Sequence, residues 1–138
     1  MTTLAWQPEF DLQQPRMDRT HHEFVQLLAA AEHAAAGAPT DVALRALLEH
    51  TEAHFEQEER WMSQLGFAPE GCHSMQHESV LQVLREVVRR HAAAADATLV
   101  GQLVAALGQW FPMHATMMDA ALAMTMAERG FDPETGRL

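Results

Sequence analysis

Among the nine histidines and nineteen acidic residues of this chain, seven could bind metal ions together, and most of them stand at helical intervals. His54 and Glu58 are four apart in "HFEQEERWM", His73 and His77 are four apart in "HSMQH", His114 and Asp119 are five apart in "WFPMHATMMD", and His21 lies in "MDRTHHEF". Positions three, four and seven apart share one face of an α-helix, so a spacing of four projects two donors to the same side. Imidazole and carboxylate without thiolate make a donor set suited to iron; zinc or copper would also bind, and affinity order alone would favour them. One histidine on an apolar stripe is ordinarily a hydrogen-bonded core residue. Five at a common height, with two carboxylates, need another explanation.

The elements that must position these residues follow from composition and punctuation. The 138 residues, 48% of them hydrophobic, suffice for one compact domain and are too few for two. The apolar residues are mostly Ala, Leu, Met and Val, Tyr is absent, and alternating β-branched runs are missing. An all-α fold follows. Pro8 and Pro15 mark residues 1–17 as an extended arm, and Asp18 is placed to cap a first helix that closes before Gly37 and Pro39. Thr40 or Asp41 caps a second helix to about Leu65, where Gly66 stops it and "GFAPEG" forms a turn containing Pro69. A third helix spans about Gly71 to Ala95, and a fourth about Asp96 to Glu128 before Gly130. Short connections imply an up-down-up-down four-helix bundle over 18–130 with a tail at 131–138, all within one domain.

In such a bundle the starts of helices one and three lie beside the ends of helices two and four. His21 and His73 come early in their helices, and Glu58 and Asp119 fall about two turns before the ends of theirs. All seven groups therefore lie within a few turns of one end. Burying five imidazoles and two carboxylates without partners would cost several kcal/mol per group, against a total domain stability of about 5–15 kcal/mol. A metal centre removes that cost. Seven donors suit two octahedral ions bridged by the carboxylates and a solvent oxygen, with one position open.

A formal net charge of −10 argues against nucleic acid or an anionic membrane as partner, because both require a basic patch. The single cysteine, Cys72, cannot form an internal disulfide. "MTTLAWQPEF" has no signal-peptide character, and no apolar run reaches the roughly 18 residues of a membrane span. A cytoplasmic protein is expected.

The four motifs in this order, spread over nearly the whole chain, resemble the ligand signature of the hemerythrin family. The resemblance implies a di-iron centre in which His73, His77 and His114 bind one iron and His21 and His54 the other, bridged by Glu58 and Asp119. It implies reversible O2 binding at the second iron, in a dry pocket lined by Phe55, Trp110 and Phe111; NO or peroxide are further possible ligands. Ala115 stands where the family usually carries a bulky aliphatic residue, which widens the pocket and keeps open a di-iron enzyme (peroxidase, NO-handling or iron-oxidising) or an iron-sensing module. The five-residue step from His114 to Asp119 is about 140° on an ideal helix and calls for a long reach or a π-bulge, with Pro112 a candidate source of distortion. Spacing favours His21 over His22. His33, His50 and His91 read as structural or surface residues, Glu52, Glu56 and Glu59 as a solvated face, the Met residues of helix four as core filling, and Cys72 as a partly buried, inert thiol.

Overall fold

Proline, side-chain caps and a left-handed glycine set several of the helix ends in this chain. The computed structural model describes residues 2–67 and 71–138. After a 3-10 turn at Pro8–Phe10 come α1 (Pro15–His33), α2 (Ala38–Gln64) and α3 (Cys72–Ala93). The fourth helix runs as α4 (Ala97–Met113), a π-helical turn (His114–Asp119) and α5 (Ala120–Arg129). The helices close a ring, α1 on α2, α2 on α3, α3 on α4 and α4 back on α1. Their antiparallel order shows in two cross-links: Ser74 at the start of α3 meets Glu59 near the end of α2, and His91 at the end of α3 meets Asp41 at the start of α2.

The first helix begins one turn earlier than Asp18 would set it. Pro15 occupies its first position, where a missing N–H costs nothing, and the side chain of Gln14 accepts from the backbone N–H groups of Arg16 and Met17. Asp18 lies inside the first turn and accepts from the Leu12 N–H at 2.8 Å, tying the arm back onto the helix. Thr40 and Asp41 likewise sit within the first turn of α2, which starts after Gly37; the Thr40 hydroxyl donates to the Ala35 carbonyl. Asp96 does cap α4, accepting from the Leu99 N–H. The turn expected around Pro69 lies in residues 68–70, outside the described residues.

Two apolar clusters fill the bundle. The larger contains Phe24, Leu28, Leu47, Phe55, Leu84 and Leu107, and the smaller contains Met17, Trp61, Met62, Leu122, Met126 and Phe131. Along α1, α2 and the fourth helix, a set of buried polar side chains falls between them. The arm belongs to the core: Leu4 and Phe10 are buried, and burying one such aromatic side chain contributes about 2–3 kcal/mol. It passes so close to Gly108 that a Cβ there would stand 3.0 Å from the Thr3 methyl. Of the late methionines only Met126 is core; Met113, Met117 and Met124 are about two-thirds exposed, because the face that carries them points away from α1 and α3. No helix among the described residues is long and apolar enough to cross a membrane.

Gly130 ends α5 in the left-handed region at φ 66°, which lets the Phe131 N–H return to the Met126 carbonyl and folds the tail over Trp61, whose indole N–H donates to the Pro133 carbonyl. Among the described residues nothing lies within 4 Å of a Cβ added at Gly130, so Gly130→Ala meets a conformational penalty. The expected loss is about 1 kcal/mol in urea unfolding. A loss beyond about 3 kcal/mol would show that the residue does more than turn the chain.

Candidate metal centre

All four helices contribute to one buried cluster. His21 comes from α1, His54 and Glu58 from α2, His73 and His77 from α3, and His114 and Asp119 from the π-helical turn; all seven are under 8% exposed. On α2 and α3 the four-residue step places both donors on the inner face. In the fourth helix the same result needs the wider turn. The Ala120 N–H bonds back five residues to the Ala115 carbonyl, and this extra residue per turn brings His114 and Asp119 to one side. Pro112, which lacks an N–H to continue the α-helical pattern, lies immediately upstream.

Each carboxylate turns one oxygen toward each of two histidine groups. Glu58 Oε1 lies 3.1 Å from His73 Nε2 and 3.2 Å from His77 Nε2, while Glu58 Oε2 lies 2.7 Å from His54 Nε2 and 3.6 Å from His21 Nε2. Asp119 Oδ1 lies 2.9 Å from His73 Nε2 and 3.3 Å from His114 Nε2, and its Oδ2 lies 3.1 Å from His21 Nε2. Donor atoms of Glu58, His73, His77, His114 and Asp119 lie within 4.8 Å of one another, as do those of His21, His54 and Glu58.

These short separations are mostly not good hydrogen bonds. Both oxygens of Asp119 and the Nε2 atoms of His21, His77 and His114 are buried without a properly aligned partner. Orphaned buried polar atoms are rare and costly. Lone pairs that converge on a common point, rather than on each other, explain both observations. Neighbouring ligands of an octahedral ion at about 2.1 Å from its centre stand about 3 Å apart, which is the range seen here. The donor set fits divalent cations.

Electrostatics agree. Burial disfavours charge on His21, but the close carboxylates of Asp119 and Glu58 outweigh it and raise its pKa to about 10. His73 is treated alike, burial losing to Asp119 and Glu58, and its pKa rises to about 9. For His54 burial prevails and the pKa falls. Burial would push Glu58 and Asp119 up, yet the surrounding imidazoles hold both below the usual carboxylate range. Two protonated rings thus balance two carboxylates whenever no cation does so.

The aromatic residues divide between the histidine groups. Phe55 stacks on His77 at 3.9 Å and 7°, and half-buried Trp110 stacks on His114 at 4.3 Å and 24°. Phe111 meets His21 edge-on at 5.4 Å and stacks on Phe24, and Ala115 is fully buried. His22 lies outside the cluster, exposed and stacked on Trp6. His50 pairs with Glu23 at the margin, and buried His91 pairs with Asp41 at the far end. Cys72 is exposed rather than partly buried, because it is the first residue of α3.

Three residues escaped the reading by spacing. Glu59, assigned to a solvated face, is only partly so: its Oε2 accepts from His77 Nδ1 at 2.8 Å and its Oε1 from the Ser74 hydroxyl at 2.6 Å. Gln76 Oε1 accepts from His114 Nδ1 at 2.7 Å. Thr51, three residues before His54 on the same face of α2, is fully buried with an unpartnered hydroxyl. Only the position of Gln76, between two histidines, was a hint.

A family model described as the Hemerythrin HHE cation binding domain matches residues 14–125. A curated protein of Ralstonia nicotianae, "Bacteriohemerythrin", is 38% identical over 132 residues, covering 96% of this chain and 95% of that protein. No solved structure matches the chain.

The protons on His21 and His73 must leave when a cation takes their nitrogens. Because both pKa values are raised, to about 10 and about 9, the protons are present at neutral pH and are displaced on binding. Overall cation affinity should therefore rise with pH between 6.5 and 9, by up to about 100-fold per unit for two protons. Calorimetry in buffers of different ionisation enthalpy should read a release of about two protons. An affinity independent of pH over this range would contradict the assignment.

Proposed function

Since the chain belongs to the hemerythrin HHE cation-binding family, we propose that it is a cytoplasmic di-iron protein that binds O2 reversibly. What carries the reading is the two-sided presentation of Glu58 and Asp119, one oxygen of each to each histidine group. Carboxylates arranged this way hold two cations at once. His73, His77 and His114 with Glu58 Oε1 and Asp119 Oδ1 make five protein donors for one ion; His21 and His54 with the other two oxygens make four for its neighbour. With one shared solvent oxygen, the first ion is complete and the second has a position left for a small ligand.

Two ferrous ions would supply the two electrons that reversible O2 binding draws upon. The chain supplies the setting. Phe111 and the Phe24 ring stacked on it wall the two-histidine side, Phe55 stands between the groups, 5.2 Å from His54 while stacked on His77, and Phe10 closes the far edge of Phe111 at 5.2 Å. Walls of this kind exclude water and free acids, so bound O2 is not driven off as a protonated product. Thr51 offers an uncommitted hydroxyl on the same face. Ala115 is small and fully buried, so it does not open the wall to solvent.

Protein prepared without metal-chelating resin, reduced anaerobically and then exposed to O2, should contain two irons per chain and develop a visible band that disappears on degassing through several cycles. A band that decays at once to a stable ferric spectrum would overturn reversible carriage in favour of oxygen-consuming chemistry. Asp119→Asn removes one of the two-sided carboxylates, and its iron content should fall below two per chain.

A further inference from the structure

The two histidine groups are held with very different firmness. In the three-histidine group two of the outward ring nitrogens are anchored: His77 Nδ1 donates to Glu59 Oε2 at 2.8 Å and His114 Nδ1 to Gln76 Oε1 at 2.7 Å. Glu59 is itself fixed by the Ser74 hydroxyl at 2.6 Å. Both rings are further clamped by stacking, His77 under Phe55 and His114 against Trp110. In the two-histidine group His21 Nδ1 and His54 Nδ1 are buried with no hydrogen-bond partner among the described residues.

An acceptor at Nδ1 fixes the tautomer that leaves the Nε2 lone pair free, fixes the ring plane, and raises the basicity of the donor. Such outer partners contribute roughly 10–100-fold each to metal affinity. His21 and His54 must find their tautomer and orientation when the ion arrives. We propose that Glu59 and Gln76 are positioning residues that make the three-histidine half a preformed site, which fills first and keeps its ion when the two-histidine half is empty. The proposal rests on the two-ion reading above. Its consequence is that oxygen-binding capacity, which needs both ions, follows the supply of cation, while a one-ion form persists in scarcity.

The test is an anaerobic equilibrium titration of metal-free protein with ferrous ion, reading bound metal per chain and the thermal midpoint at each free-ion concentration. Two steps are expected, with midpoints at least about 100-fold apart in free ion, since two anchors at roughly tenfold or more each separate the halves. Glu59→Ala and Gln76→Leu should each move the first step to about 10–100-fold higher free ion and leave the second nearly in place, narrowing the gap. Glu59→Gln keeps an acceptor oxygen and should recover part of the loss. Helix content by circular dichroism identifies a variant that has lost its fold, and the wild-type titration decides the order without any variant. Two ions entering in a single step, or anchor variants that shift both steps equally, would overturn the proposal while leaving the two-ion reading intact. Saturation at one ion per chain would overturn both.

Discussion

Two carboxylates with no access to water, Glu58 and Asp119, set the conditions that the rest of the molecule meets. A lone buried carboxylate would take up a proton rather than remain charged. Here both are kept ionised by imidazoles that arrive from every helix, and the two with raised pKa values carry the compensating protons. The arrangement is a balance of charge that can be met either by protons or by cations. Packing alone would favour replacing these groups with apolar residues of similar volume, because buried ion clusters seldom add net stability. Their presence between two well-filled apolar clusters is therefore explained by what they bind.

The same demand reshapes the backbone. An α-helix cannot present His114 and Asp119 to one side, so the fourth helix widens for one turn and then resumes. The insertion changes the helical phase of everything after it, and beyond it Leu122, Ala123 and Met126 fall in the smaller apolar cluster. Pro112 sits where the α-helical pattern must loosen, and the Thr116 hydroxyl donates to its carbonyl. Site and core are thus set by one and the same irregularity.

How much of this was legible follows from what sequence spacing encodes. Periodicity tells which residues share a face of one helix, so it brought the seven polar residues to one level and marked the step from His114 to Asp119 as irregular. It left open whether that step is met by a long reach or a π-turn, which backbone hydrogen bonding decides. Spacing says nothing about where the tip of a long side chain goes, which is why Glu59 and Gln76 were missed: both reach a ring on a neighbouring helix or segment. Helix starts were displaced for a related reason. Asp18, Thr40 and Asp41 have capping chemistry, but proline at Pro15 and Pro39 admits the chain to the helix earlier. The exposure of Met113, Met117 and Met124 is a fact of tertiary packing without a local signal in the sequence.

The arm carries a last consequence. Its Phe10 meets Phe111 edge-on, and Phe111 meets His21 in the same way, so a segment outside the bundle reaches the centre through one intervening ring. Trp6 on His22 and Leu4 beside Gly108 hold that segment in place from the surface side. Sealing is thereby shared: Phe24, Phe55 and Phe111 stand on helices that also carry donors or lead into them, while the outermost ring, Phe10, belongs to a strip of chain that shares no helix with any donor. Substitutions in that outermost strip can therefore change how tightly the centre is closed without disturbing a single donor atom.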